Sequence, residues 1–182
     1  MTDEKNILVR PLEDCAVLIT GGTSGIGLAS ARALAEAGVR CFVLNGRNAD
    51  RAEAARRSLA KSAPEADIRL SLGDAATQDG ARGAVMATTD AFGHIDVLLN
   101  SAGGDILPKL LHETDMDEIE SVLQGELLST ILPTRAALDP MMAQRGGSII
   151  AIASDAAKVA TPGEAVIGAA LAGILMFTRS AA

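Results

Sequence analysis

Short, continuous runs of apolar residues alternate along this chain with longer segments of helical periodicity. Five segments are predicted strands: CAVLIT (15–20), which is a continuous apolar run, RCFVLNG (40–46), DIRLSLGD (67–74), IDVLLNSAGG (95–104, running into a turn) and SIIAIAS (148–154). Helical patterns occupy residues 26–38, 49–63, 80–92 and 116–147, and a last one begins at about Gly163. Apolar strands separated by helices predict a parallel sheet covered on both faces. We therefore expect an α/β fold, a doubly wound parallel sheet in one domain spanning residues 1–182.

The charge balance limits the classes of partner. The chain has 182 residues and a formal net charge of -7. Nucleic acids and anionic membranes are themselves negatively charged, so they repel an acidic surface. No apolar run has the length needed to span a bilayer, and residues 1–14 are polar where a signal peptide would be apolar. We therefore expect a cytoplasmic protein with neither a nucleic-acid nor a membrane partner.

The cysteines and histidines are few and separated. Cys15 and Cys41 open two different predicted strands, whereas a secreted disulfide framework uses more cysteines in a shorter chain. We interpret both as buried thiols in a reducing compartment. His94 and His112 stand alone, without the ligand clusters of a structural metal, so the sequence predicts no metal site.

A glycine-rich segment, TGGTSGIG at residues 20–27, joins the first predicted strand to the first predicted helix. Glycines at this junction let the backbone turn sharply and approach a pyrophosphate, which then lies at the positive end of the helix. The alternative is a tight turn without a ligand. The position at the start of a strand–helix–strand unit favours dinucleotide binding. The expected cofactor-binding residues here are Thr20, Gly21, Thr23, Ser24, Gly25, Ile26 and Gly27.

The spacing Thr-Gly-x-x-x-Gly-x-Gly resembles the cofactor fingerprint of the short-chain dehydrogenase/reductase family. Other landmarks follow in the family's order: Asp74 after the third strand, NSAG at residues 100–103 after the fourth, and Ser154 ending the fifth. The resemblance implies a Rossmann-type fold in which Asp74 contacts the adenine ring and Ser154 is the active-site serine. It adds Asn100, Ala102 and Gly103 to the expected cofactor-binding residues.

The end of the second strand bears on the type of cofactor. A carboxylate there favours NAD by accepting hydrogen bonds from the ribose, whereas an arginine accommodates the extra phosphate of NADP. This chain has Gly46 followed by Arg47, and a guanidinium suits a phosphate through paired hydrogen bonds. The alternative is that Arg47 is a solvated residue at the start of a helix and binds no phosphate. We expect NADP(H), with NAD(H) as the weaker candidate.

The chain departs from the family at its catalytic motif. Counting from Ser154, the tyrosine of the family's Tyr-x-x-x-Lys motif falls on Ile167 and the lysine on Leu171. The chain contains no tyrosine, so no other register restores the motif. The asparagine that the family carries on the preceding long helix falls on Glu126.

The missing motif leaves two functional classes open. Hydride transfer to a carbonyl leaves an alkoxide that needs a proton, and general acid–base help is worth about 10²–10⁴ in rate. The first class is an NADP(H)-dependent oxidoreductase that uses Ser154 with a non-standard donor such as Glu126 or Lys158. Asp155 and Glu164 are further candidates, and all four are alternatively solvated charges. The second class is a non-catalytic NADP(H)-binding sensor or partner subunit. A carboxylate or Lys158 within hydrogen-bond reach of Ser154 Oγ in a cofactor-facing cleft would favour the first, whereas those side chains pointing into solvent would contradict its mechanism.

The last helical segment has no charged residue between residues 165 and 178. A helix that is apolar all round is buried on every side. The resemblance implies that residues 163–180 pair subunits in a homodimer or homotetramer. It also implies a further strand, a substrate-covering segment and a final strand, so we expect the chain to be truncated relative to the family.

Overall fold

Five parallel strands form one sheet in the computed structural model, which describes residues 9–104 and 106–182. The strands are β1 (Ala16–Thr20), β2 (Cys41–Gly46), β3 (Asp67–Leu72), β4 (Val97–Asn100) and β5 (Ser148–Ala151). Their order is β3-β2-β1-β4-β5, with Val17 of β1 paired to Phe42 on one side and Val97 on the other. β1 is therefore the central strand, with two strands on each side of it. A crevice opens at the carboxyl ends of β1 and β4.

Six α-helices connect and cover the strands. They are α1 (Gly25–Glu36), α2 (Ala49–Ser62), α3 (Gln78–Phe92), α4 (Met116–Val122), α5 (Ser129–Gln144) and α6 (Ala165–Ala181). Side chains cap the starts of α2 and α3: Asn48 Oδ1 accepts the Arg51 N–H at 2.8 Å before α2, and Thr77 Oγ1 accepts the Gly80 N–H at 3.1 Å before α3. The predicted helices agree with the observed ones to within a few residues, except at 116–147.

The predicted helix 116–147 is interrupted. A π-helical turn, Leu123–Leu128, separates α4 from α5, and the helix stops at Gln144 because Arg145 adopts a left-handed conformation with φ of 60°. The fifth strand is also shorter than the predicted 148–154, ending at Ala151, because its pairing partner β4 ends at Asn100.

Alternate residues of β1 enter two separate cores, one on each face of the sheet. Val17 and Ile19 pack with Leu59 of α2, whereas Leu18 packs with Val85 of α3 and Met141 of α5 on the opposite face. Both faces are therefore covered by helices, which confirms the doubly wound α/β prediction.

The two cysteines differ in burial. Cys15 is buried as predicted. Cys41 is only half-buried, because it is the first residue of β2 and lies at the amino ends of the strands, where it pairs with Asp67. Both are free thiols. Desolvation raises the pKa of each thiol above its ordinary value, and nearby carboxylates raise it further, so neither is an activated nucleophile.

Helix α6 is covered by the rest of the described chain on one side only. Its inner face is buried at Ala170, Leu171 and Ile174, but the side chain of Met176 on the outer face is 61% exposed. The close packing of the inner face needs Gly168, because a Cβ there would lie 2.9 Å from the Ala156 carbonyl oxygen. Within the described residues, no helix is long and apolar enough to cross a membrane.

Truncating a central core side chain tests this two-faced packing. Leu18 is 0% exposed, so we expect Leu18→Ala to lower the free energy of unfolding by about 2–5 kcal/mol through lost burial and a residual cavity. The matched control is Leu107→Ala, since Leu107 is 84% exposed and its truncation leaves no cavity. Urea denaturation of both variants measures the difference, and equal losses would contradict the assigned core.

Candidate cofactor site

A cavity of about 690 Å³ lies in the crevice at the carboxyl ends of the strands. Nine of the sequence-predicted binding residues line it: Gly21, Thr23, Ser24, Gly25, Ile26, Arg47, Asp74, Ala102 and Gly103. Thr20, Gly27 and Asn100 do not line it. The structure thus brings together three segments that are far apart in sequence, namely the glycine-rich turn, the ends of β2 and β3, and the loop after β4.

The glycine-rich turn is shaped to receive a ligand at the start of α1. Gly21 has φ of +65° and lies so close to the loop after β4 that a Cβ there would come 2.7 Å from the Ser101 carbonyl oxygen. Gly25 has φ of +49° and open space within 4 Å of its Cβ position. Ser24, which precedes α1, makes no side-chain capping hydrogen bond, so the first N–H groups of the helix stay available. An uncapped helix start beside a cavity fits a phosphate group.

Thr20 and Ser101 hold the two turns together. Ser101 Oγ donates to the Thr20 carbonyl oxygen at 2.6 Å, and the Ser101 N–H donates to the same oxygen at 3.2 Å. Thr20 is fully buried. It therefore lies behind the residues that line the cavity and positions the two turns.

Asn100 and Gly27 also lie behind the residues that line the cavity, and they support those residues by packing. The Asn100 side chain is 1% exposed, and its Nδ2 donates to Thr134 Oγ1 of α5 at 3.0 Å, so it has no access to a ligand. A Cβ on Gly27 would lie 2.5 Å from both the Gly21 carbonyl oxygen and Ser101 Oγ. Gly27 is thus required for close packing of α1 against the turns.

The other end of the cavity carries charged side chains. Arg47 Nη1 lies 3.8 Å from Asp74 Oδ2, and both side chains are partly exposed. A Cβ on Gly46 would lie 2.7 Å from Thr23 Oγ1, and the Thr23 side chain is buried. A carboxylate therefore cannot occupy position 46 unless Thr23 moves. Arg51 adds a second guanidinium to this end.

The structure does not join the candidate acid–base residues into one network. Ser154 is exposed, and its Oγ accepts a hydrogen bond from the Ala156 N–H at 3.3 Å. In the described part of the chain, neither Glu126 nor Lys158 hydrogen-bonds to Ser154. The Lys158 side chain is exposed, and Glu126 Oε1 accepts the Gly104 N–H at 2.9 Å. Glu126 therefore anchors the loop after β4.

Ile167 lines a second cavity of about 600 Å³, next to the first. Ile106 and Ser121 line both cavities, so the two adjoin. Lys109 and Glu118 lie in its wall, with Lys109 Nζ at 3.1 and 2.8 Å from the two Glu118 oxygens. Their hydrogen bond raises the pKa of Lys109 and lowers that of Glu118, so both stay charged at neutral pH. Leu171 is buried behind Ile167 in α6.

Comparison with known proteins identifies the family. The family model described as short chain dehydrogenase matches residues 15–182. The chain belongs to the short chain dehydrogenase family. This family binds nicotinamide cofactors, NAD or NADP, and the glycine turn, the uncapped start of α1 and the long crevice fit such a dinucleotide.

Similar members of the family support the assignment. The chain is 33% identical over 165 residues to the 3-oxoacyl-[acyl-carrier-protein] reductase of Synechocystis sp., covering 91% of this chain and 66% of that protein. It is 32% identical over 167 residues to the 2-(R)-hydroxypropyl-CoM dehydrogenase of Xanthobacter autotrophicus, again covering 91% and 66%. The chain thus spans slightly less than two thirds of the length of these relatives.

Solved structures agree on the fold. The structure of levodione reductase superposes with a TM-score of 0.88 at 28% identity, covering 92% of this chain and 65% of that one. The structure of NAD⁺-bound xylitol dehydrogenase gives a TM-score of 0.89 at 27% identity, covering 95% and 65%. A parallel sheet with flanking helices is therefore common to all three chains.

The sequence analysis missed several residues that line the first cavity. Arg51 lies one helical turn after Arg47, and that spacing was an available signal. Ser101 stands inside the NSAG segment but was passed over because the resemblance did not assign it a role. Gln124 and Ser129 come from the π-helical turn and α5, and nothing local in the sequence points to them.

Adding a methyl group at Gly27 tests the close approach on which the cavity depends. We expect Gly27→Ala to destabilise the fold by about 1–3 kcal/mol, because the new Cβ overlaps backbone that has little room to shift. The control is Gly83→Ala in α3, where a Cβ meets nothing within 4 Å. That change should stabilise the helix by about 0.5–1 kcal/mol. Thermal unfolding of both variants decides, and a neutral Gly27→Ala would refute the packing.

Proposed function

We propose that this chain binds NADP(H) in the crevice and acts as an oxidoreductase on a small-molecule substrate. The reaction is hydride transfer between the nicotinamide and a carbonyl or hydroxyl group. The observation that carries the proposal is that the uncapped start of α1, the glycine turn and Arg47 line one continuous cavity. The cavity therefore offers a phosphate site at its middle and a cation at one end.

The choice of NADP(H) over NAD(H) rests on Arg47, Arg51 and Gly46. Two guanidinium groups line the end of the cavity where β2 ends, and a guanidinium binds a phosphate through paired, charge-assisted hydrogen bonds. A carboxylate that would accept hydrogen bonds from the NAD ribose is absent at position 46, and Thr23 fills its space. Both features favour the cofactor that carries the additional phosphate.

When bound, the cofactor supplies or accepts the hydride. The chain's own residues bind and orient it through the glycine turn and the loop after β4. The second cavity, next to the Gly103 end of the first, is the proposed place for the substrate. The family resemblance is what supports assigning Ser154 to hydrogen-bond the substrate oxygen, since Ser154 lines neither of these two cavities. Ile167 has no proton to give, so the proton comes from a non-standard donor, and solvent water is the one we favour over Glu126 and Lys158.

Binding of NADP(H) without turnover is the second candidate function. One observation favours it: Ser154 Oγ bonds within its own turn to the Ala156 N–H, and the neighbouring motif positions are the apolar Ile167 and Leu171. In that case the chain serves as a cofactor sensor or as a partner subunit. Both candidates require the same cofactor site and differ only in chemistry.

We further propose that the chain works in the cytoplasm as a homodimer or homotetramer. The outer face of α6 supports the assembly, because Ala165, Ala169, Ala172 and Met176 form an exposed apolar stripe at helical spacing. Small side chains on such a stripe allow a second helix to approach closely.

Removing the Arg47 guanidinium tests the cofactor assignment. We expect Arg47→Ala to raise the Kd for NADPH about 10- to 100-fold and to leave the Kd for NADH unchanged, because only NADPH carries the extra phosphate. Arg135→Ala is the matched control: both arginine side chains are 65% exposed and each has an acidic neighbour. Fluorescence titration gives the constants. Equal weakening of both cofactors by Arg47→Ala would argue against NADP(H) selectivity.

Ser154→Ala separates the two candidate functions. If the chain is an oxidoreductase, NADPH consumption in the presence of a panel of aldehydes and ketones should fall about 10²-fold in this variant, since a donor to the reacting oxygen is lost. Ser180→Ala at the exposed end of α6 controls for removal of a serine hydroxyl. Turnover that survives Ser154→Ala would remove Ser154 from the mechanism. Wild-type binding with no turnover would establish the second candidate.

A further inference from the structure

The carboxylate of Glu126 lies directly behind the loop that forms one end of the cofactor cavity. Glu126 Oε1 accepts the Gly104 N–H at 2.9 Å, and a Cβ on Gly103 would come 3.2 Å from Glu126 Oε2. The side chain is half-buried within the π-helical turn Leu123–Leu128. Among the described residues Glu126 has no ion-pair partner, so its negative charge is not neutralised by a contact.

The charged side chains that line this cavity in the described part of the chain lie together at one end of it. The charged side chains that line it in the described part of the chain are Arg47, Arg51 and Asp74, and all three lie where β2 and β3 end. Gly103 and Gly104 line the opposite end, beyond the start of α1. A dinucleotide with its adenosine at Arg47 and its pyrophosphate at α1 therefore directs its nicotinamide toward Gly103. Among the described residues, Glu126 is a charged group in contact with that loop.

The neighbouring helix does not supply a compensating cation. Leu171, which occupies the position of the family's motif lysine, is apolar and buried in α6. Lys109, in the adjoining cavity, is already paired with Glu118. Within the described residues, the end of the cavity proposed for the nicotinamide thus lies near Glu126, a carboxylate that has no ion-pair partner.

A negative charge at this place would interact differently with the two redox states of the cofactor. An oxidised nicotinamide ring carries one positive charge and the reduced ring carries none, whereas the rest of the cofactor is the same in both. We propose that Glu126 makes this site select the oxidised cofactor, NADP⁺, over NADPH. The inference rests on the proposed NADP(H) function. A unit charge one loop away, in the effective dielectric of a protein surface, changes affinity by about five- to thirtyfold.

Glu126→Gln isolates the charge from the loop contact. A glutamine carbonyl oxygen still accepts the Gly104 N–H, so the variant keeps the hydrogen bond and loses only the negative charge. The matched control is Glu65→Gln, which removes the same charge from an exposed side chain before β3, at the opposite edge of the sheet. This control corrects for the general effect of the chain's net charge on a cationic ligand.

The experiment measures Kd by calorimetry for NADP⁺, NADPH and 2′,5′-ADP with the wild-type chain and both variants. The ligand 2′,5′-ADP has no nicotinamide and reports the adenosine end alone. We expect the wild-type chain to bind NADP⁺ about five- to thirtyfold more tightly than NADPH, and Glu126→Gln to reduce that ratio toward one. Glu65→Gln should keep the wild-type ratio, and 2′,5′-ADP should bind all three proteins equally.

Other results have distinct meanings. An unchanged NADP⁺/NADPH ratio in Glu126→Gln overturns the inference while leaving the cofactor site intact. Equal weakening of all three ligands overturns it in favour of a purely structural role in holding the loop. If the variant does not fold, the salt dependence of the wild-type ratio replaces it, because screening should lower the ratio as ionic strength rises. No binding of any ligand to the wild-type chain refutes the proposed function itself.

Discussion

The close approach of two backbone turns, one after β1 and one after β4, is the constraint on which the site depends. It is possible only because Gly21 and Gly27 have no side chains, and it is fixed by the Ser101 hydroxyl, which donates to the Thr20 carbonyl oxygen at 2.6 Å. These two turns flank the point where the strand order reverses, so their contact sets the width of the crevice. It also presents the uncapped start of α1 to the cavity. The turn after β1 is tied to β2 as well, because the Gly22 N–H donates to the Asn45 carbonyl oxygen at 3.1 Å.

Much of this architecture was predictable because it depends on local sequence. The alternation of strands and helices predicted the parallel sheet, and the glycine spacing located the glycine-rich turn. The features that the sequence does not predict depend on tertiary contacts. Asn100 and Thr20 belong to the recognised motif, yet both are buried behind the wall, because motif membership does not distinguish contact from support. The π-helical turn at Leu123–Leu128 could not be predicted from the hydrophobic periodicity, because the sequence on both sides of it has a helical pattern. The exposure of Met176 depends on which face of α6 the rest of the chain covers.

Our proposal is that the chain retains the features that hold a cofactor and departs from the family where the proton is handled. Ile167 and Leu171 pack α6 against the fold, and the one retained catalytic candidate, Ser154, is bonded only within its own turn among the described residues. Loss of a general acid costs about 3–5 kcal/mol of barrier, which slows hydride transfer without forbidding it. The placement of Glu126 adds a negative charge near the end of the crevice that the family's motif lysine would otherwise make more positive. Binding and chemistry are therefore separable questions in this protein.

The central claim is that the crevice is an NADP(H) site. Parallel titrations of NADPH and NADH into the purified wild-type chain, followed by nicotinamide fluorescence, test it most directly. The account predicts saturable binding of NADPH that is at least about tenfold tighter than that of NADH, because Arg47 and Arg51 meet a phosphate that NADH lacks. Equal affinity for the two would contradict the role of the arginines, and no binding of either would show that the glycine turn and the open start of α1 no longer serve a dinucleotide.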